Sequence, residues 1–130
     1  MLISNVILIY FTGEIPNNQS IINEYPILIS AFLAIIIAPV TEELMFRGFL
    51  KKLIKNDFLF ILISSLVFGG LHILVADSVK QCLFIIPYSI LGFALALNYV
   101  KTKNIASNIF LHSSWNSIVI IIMILTKVFN

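Results

Sequence analysis

Apolar residues run along this chain in long blocks broken by short polar clusters, with none of the period-two alternation of a half-buried strand. A helix needs about 20 apolar residues, at 1.5 Å each, to cross a hydrocarbon core of roughly 30 Å. Residues 58–76, 82–100 and 105–125 meet that requirement. A fourth run starts at Pro26 and stays apolar to Val40. It then carries Thr41, Glu42, Glu43 and Arg47 before the basic cluster Lys51, Lys52 and Lys55. Read as one helix from 26 to about 55, it is long enough to span even when tilted. Residues 1–11 are apolar but only about 16 Å long as a helix, too short to span. They have neither the basic leader nor the small-residue cleavage site of a signal peptide. Residues 12–25, with Gly13, Pro16, Asn17, Asn18 and Ser20, read as a loop. The expected architecture is an all-α polytopic membrane helix bundle: a stub and loop over 1–25, then a core of four transmembrane helices over 26–127.

Composition narrows the picture. The chain has 130 residues, 60% of them hydrophobic and 11% charged. A soluble domain has roughly a quarter charged residues, so most of this surface must face lipid or other helices. The same figures exclude disorder, and a single cysteine, Cys82, excludes an internal disulfide. A net charge of +2 with no continuous basic patch argues against a nucleic-acid partner. Lys51, Lys52, Lys55, Lys101 and Lys103 lie in two turns, against Lys80 and Lys127 on the other side, so the positive-inside rule places turns 51–57 and 101–104 in the cytoplasm. The Ile-, Asn- and Lys-rich usage points to an AT-rich bacterial genome and hence to the bacterial plasma membrane.

Ionisable side chains at lipid depth cost at least about 2.5–3.5 kcal/mol each, so every one needs a reason. Glu43 and Arg47 are one helical turn apart and neutralise each other, which reads as structural support. Glu42 is rotated about 100° from Glu43 and lacks that partner. His112 and Asn116 share one stripe of the last span, and Phe68 precedes His72 by one turn. Counting from the cytoplasmic turns brings Glu42, His72, His112 and Asn116, on three different helices, to one layer of the membrane. A lone buried histidine is most often a satisfied interhelical hydrogen bond; the shared depth of four polar groups favours a site. Asn98 and Asn108, near helix ends, read as interfacial or packing groups, and Trp115 as packing beside the site. Gly69 and Gly70 suit close helix approach, and Pro39 and Pro87 predict kinks over 35–39 and 83–87.

A carboxylate and an imidazole at one level suit deprotonation of a water molecule, and a second imidazole with an amide N–H suits a developing oxyanion. That set describes hydrolysis of an amide or ester by activated water. No nucleophile elbow and no His-Glu-x-x-His zinc motif is present. Glu42, His72 and His112 as three zinc ligands with water in the fourth position is the alternative that the donor set leaves open.

Thr41-Glu42-Glu43-Leu44-Met45-Phe46-Arg47-Gly48 resembles the E-E-x-x-x-R motif of the type II CAAX prenyl endopeptidase and bacteriocin-processing (CPBP) family of intramembrane proteases, also called the lysostaphin-resistance-protein-A-like or Abi family. Phe68-Gly69-Gly70-Leu71-His72 is similar to its F-x-x-x-H motif, and His112-Ser113-Ser114-Trp115-Asn116 to its H-x-x-x-N motif. The three occur in family order on separate spans, over about 26–125. The resemblance implies an intramembrane endopeptidase in which Glu42 and His72 activate water, His112 and Asn116 stabilise the oxyanion, and Glu43 and Arg47 support the site. Its substrate would be a membrane-associated protein or peptide. The family is often labelled metalloprotease; the glutamate-water reading suits Asn116 better, since an amide is a poor zinc ligand, so no cofactor is expected. Members usually carry further helices ahead of the first motif, where this chain has a stub, and eukaryotic members cut prenylated proteins, a substrate not expected in bacteria.

Two other classes compete. A non-proteolytic immunity or regulatory membrane protein would bind a bacteriocin, its receptor or a sensor kinase and use the polar cluster for packing. A proton or ion relay would need polar groups spread along the membrane normal, whereas these gather in one layer.

Overall fold

The apolar runs fold as helices because a backbone in lipid has no other way to pair every N–H and C=O within one segment. The computed structural model describes residues 2–17 and 24–129, and no strand occurs among them. The loop expected over 12–25 therefore falls partly outside the described residues, at 18–23. We number the helices α1 (Leu2–Thr12), α2 (Ile27–Leu53), α3 (Asp57–His72), α4 (Val79–Cys82), α5 (Ile85–Thr102) and α6 (Ile105–Phe129). Among the described residues, three segments are long and apolar enough to cross a membrane: Ile27–Leu53, Val79–Thr102 and Ile105–Leu125. The outward faces carry exposed residues such as Leu28, Leu62 and Phe110, the pattern of a helix bundle facing hydrocarbon. The protein is an integral membrane protein.

Two expectations change in detail. The span placed at 58–76 ends as a helix at His72, followed by turn at 73–75. Its 16 residues reach about 24 Å, short of a full hydrocarbon core. The kink expected at 83–87 is instead a break: a turn at residues 83–84 separates α4 from α5. Pro87 then falls in the first turn of α5, where its missing N–H would have had no intrahelical partner anyway. Pro39 acts differently. The helix carries through it but widens just upstream into π-helical turns at Leu33–Ile37, and again at Leu44–Leu50.

The stub α1 stops at Gly13, whose φ of 70° is the left-handed cap that glycine adopts without strain. Its end is held to the segment after α3: Ser78 Oγ donates to Glu14 (2.6 Å), Asn17 Nδ2 donates to the Val75 carbonyl (2.9 Å) and Gln81 Nε2 donates to Asn17 Oδ1 (2.7 Å). At the other end of the bundle, Asp57 lies 3.0 Å from Lys51 Nζ and 3.6 Å from Lys103 Nζ, which joins the two lysine-bearing turns. The Lys51 hydrogen bond, with help from the Lys103 charge, holds the Asp57 carboxyl below its ordinary value.

α3 and α5 pack closest because each contributes a glycine. A Cβ on Gly69 would stand 2.8 Å from the Ile85 carbonyl, and one on Gly92 would stand 2.9 Å from Phe68 Cβ and 3.1 Å from Ser65 Cα. Gly70, expected to share this role, faces open space.

Gly92→Ala should lower stability by about 1–3 kcal/mol through overpacking, whereas Gly70→Ala should raise it by about 0.5–1 kcal/mol through backbone entropy; thermal unfolding in detergent separates the two. Because the folded Asp57 carboxyl is held low, its contribution is present above its unfolded pKa and is lost as pH falls through the folded one. Asp57→Asn should therefore shrink the difference in Tm between neutral and strongly acidic buffer, and an unchanged difference would remove Asp57 as the link between the turns.

Candidate active site

The polar residues of α2, α3 and α6 meet inside the bundle. Glu43 and Arg47 lie one turn apart and are both fully buried. Arg47 Nη1 donates to Glu43 Oε1 (3.2 Å), and Nη2 donates to the Gly92 carbonyl of α5 (3.0 Å). From α6, His112 Nδ1 contacts Glu43 Oε1 (3.0 Å) and Asn108 Nδ2 donates to Glu43 Oε2 (3.0 Å). Asn108 also donates to the Leu95 carbonyl (2.8 Å) and accepts from Asn98 Nδ2 (2.6 Å). One carboxylate thereby ties α2 to α6, with α5 held through Arg47 and Asn108.

Of the two readings of Asn108, interfacial or packing, the buried one holds: it is 0% exposed and donates to Glu43. The signal was in the spacing, since Asn108, His112 and Asn116 recur every fourth residue along one stripe of α6. Glu43 likewise does more than pair with Arg47. A carboxylate only accepts, so its contact with His112 requires a proton on Nδ1 and leaves Nε2 facing Glu42, whose Oε2 lies 3.9 Å away.

His72 is fixed by different means. Its Nδ1 lies 2.8 Å from the Phe68 carbonyl one turn earlier, which requires an Nδ1–H and leaves Nε2 as an acceptor. The ring is stacked between Phe68 (4.4 Å) and Tyr88 (4.5 Å). Phe68 also sits 5.6 Å from the His112 ring and 5.7 Å below the Arg47 guanidinium, so it touches three members of the cluster. Tyr88, which sequence reasoning did not single out, completes the sandwich. It lies four residues before Gly92 on α5, the helix that the two glycines bring against α3.

Glu42, His72, His112 and Asn116 all line a single cavity of about 510 Å³, with Trp115 and Ala34 also in its wall. Glu42 Oε2 is buried there with no hydrogen-bond partner among the described residues. Asn116 Nδ2 donates to the Ala34 carbonyl (2.7 Å). Among the described residues, no three His, Cys, Asp or Glu side chains form a set able to hold a metal ion. His112 commits Nδ1 to Glu43 and His72 commits Nδ1 to a carbonyl, which leaves Nε2 of each ring as the nitrogen for any other contact.

Fold and site together define a class: a membrane helix bundle with a carboxylate and two imidazoles gathered on one internal cavity. Within that class, the chain belongs to the type II CAAX prenyl endopeptidase Rce1-like family, whose model matches residues 24–118. It is 33% identical over 98 residues to YxdF of Lactococcus lactis, covering 75% of this chain and 52% of that protein. It is 35% identical over 117 residues to "Putative membrane peptidase YdiL" of Bacillus subtilis, covering 85% of this chain and 44% of that protein. An uncharacterized protein of Mycoplasma capricolum is 28% identical over 126 residues, covering 90% of this chain and 36% of that protein. The chain thus spans about half, or less, of the length of the curated relatives it matches. No solved structure matches it significantly.

Glu43→Gln should destabilise the bundle by about 3–5 kcal/mol, because it leaves the buried Arg47 without its counter-charge. Asn108→Leu should cost about 1–3 kcal/mol, since one carboxylate lone pair loses its donor. Unfolding in detergent measures both, and wild-type stability in Glu43→Gln would show that the Glu43 carboxylate is not what holds α6.

Proposed function

We propose that the chain is an intramembrane endopeptidase that hydrolyses a peptide bond of a membrane-associated protein or peptide. The observation that carries the reading is Glu42 Oε2, buried without a hydrogen-bond partner on the same cavity as His72, His112 and Asn116. A carboxylate held at such a place suits a water molecule as its partner. His72 Nε2, an acceptor once Nδ1 is committed to Phe68, helps Glu42 orient that water.

The water oxygen attacks the scissile carbonyl carbon as its proton passes to Glu42. The carbonyl oxygen, now negative, accepts hydrogen bonds from Asn116 Nδ2 and His112 Nε2. Donation from Nε2 requires a proton on both nitrogens of His112, with Glu43 holding the first. The carbon–nitrogen bond then breaks, and Glu42 returns its proton to the leaving amine. Glu43 and Arg47 orient His112 and touch no substrate. The mechanism uses no metal. The protein would act from the bacterial plasma membrane, with turns 51–57 and 101–104 in the cytoplasm, as the lysine bias suggests.

The test is cleavage of a library of membrane-tethered peptides by purified protein, with and without a chelator. Glu42→Gln, His72→Ala and Asn116→Ala should remain inserted and folded, with kcat lowered by at least ~100-fold for the loss of a base or an oxyanion donor. Cleavage should persist in chelator. Retained cleavage in Glu42→Gln would remove the proposed base, and loss on chelation would turn Glu42, His72 and His112 into metal ligands. A non-proteolytic immunity protein would keep its protective effect in Glu42→Gln.

A further inference from the structure

The hydrogen bond from Asn116 to Ala34 has an unusual acceptor, a backbone carbonyl inside a helix. Such carbonyls are normally taken by the helix itself. Here the helix cannot serve it. Through the π-helical turn Leu33–Ile37 the bonding register is five residues, and the Ala38 N–H donates to the Leu33 carbonyl. In that register the donor for the Ala34 carbonyl is residue 39, and Pro39 has no N–H. The carbonyl would be left bare on the cavity wall, and Asn116 Nδ2 reaches across from α6 to bond it at 2.7 Å. Just beyond Pro39, the Thr41 hydroxyl contacts the carbonyls of Ile37 (2.9 Å) and Ala38 (3.0 Å), so side chains supplement backbone pairing on both sides of the break.

We propose that Pro39 is a positioning residue for the oxyanion site: by withholding one backbone N–H it supplies the carbonyl that sets the Asn116 amide. An amide nitrogen carries two protons in one plane. With one fixed on Ala34, the plane is fixed, and the second proton is the one available to a substrate oxygen in the cavity. Pro39 is buried and touches no reacting atom. Its effect runs through a bond it does not make. The inference rests on the reading of Asn116 as an oxyanion donor.

Pro39→Ala restores a donor. Whether the new N–H bonds Ala34 in the wide register, or the helix relaxes so that Ala38 bonds it in the ordinary one, the carbonyl gains a backbone donor that competes with Asn116 and loosens its hold. The first readout is independent of activity. In full-length protein labelled with 15N-asparagine in detergent, the Asn116 amide pair is assigned by its disappearance in Asn116→Ala. One of its two protons should be shifted strongly downfield in wild type and should lose that shift in Pro39→Ala. The second readout is cleavage of a tethered peptide that the wild type cuts. Pro39→Ala should lower kcat by at least ~10-fold, part of the ~100–1000-fold worth of an oxyanion donor, with KM unchanged. In the Asn116→Ala background, Pro39→Ala should have no further effect, because the two act through one bond. Melting temperature should hold or rise, since the helix gains a hydrogen bond and loses a proline.

An Asn116 signal unmoved by Pro39→Ala overturns the inference whatever the activity does. A moved signal with kcat unchanged in Pro39→Ala but lost in Asn116→Ala overturns the positioning role. A moved signal with full activity in both variants overturns the oxyanion assignment instead. A lower melting temperature with additive losses in the double variant makes Pro39 merely structural.

Discussion

The Glu43 carboxylate is the interaction on which the rest depends. Buried in an apolar bundle, a lone carboxylate would be very costly. It is accommodated by converging donors: Arg47 on its own helix, with His112 and Asn108 on α6. That requirement fixes the rotation of α6 against α2. The same rotation turns Nε2 of His112 towards Glu42 and sets Asn116, one turn on, against the wall of the cavity. The ion pair is thus less a source of net stability than a register device, since burying two charges costs about what their attraction returns.

The second half of the site is built by aromatic packing. His72 stands at the last turn of a short helix, where a backbone carbonyl and two stacked rings hold it. That sandwich needs α3 and α5 in close contact, which Gly69 and Gly92 allow. Gly92 serves twice, because its carbonyl also receives Arg47. The charged network and the aromatic stack are therefore joined at one residue, and a methyl group there would disturb both.

Much of this was legible in the chain. Long apolar runs announce membrane helices because lipid permits few other folds, and helical spacing alone brought Glu42, His72, His112 and Asn116 together. What stayed hidden depends on backbone register and on neighbours in space. Hydropathy carries an apolar run past His72 to Ala76, since turn residues Ile73, Leu74 and Val75 are as apolar as helical ones. It does not distinguish a proline that widens a helix, Pro39, from one that starts a new helix, Pro87. Asn108, the fourth residue of its helix, read equally as interfacial or packing; it is buried and bonded to the Leu95 carbonyl of α5 and to Glu43, contacts that spacing along one helix does not reveal. Gly92 gave no signal, for its partner Phe68 lies on another helix.

The most direct test of Glu43 as organiser is the protonation pattern of the imidazoles. The chain has only two histidines, so 15N spectra of the histidine-labelled protein in detergent contain two rings, assigned by the single variant His72→Ala. The account requires a proton on Nδ1 in both, with Glu43→Gln shifting the His112 Nδ1 signal and leaving that of His72 in place. A neutral His112 carrying its proton on Nε2 alone, or one indifferent to Glu43→Gln, would contradict it.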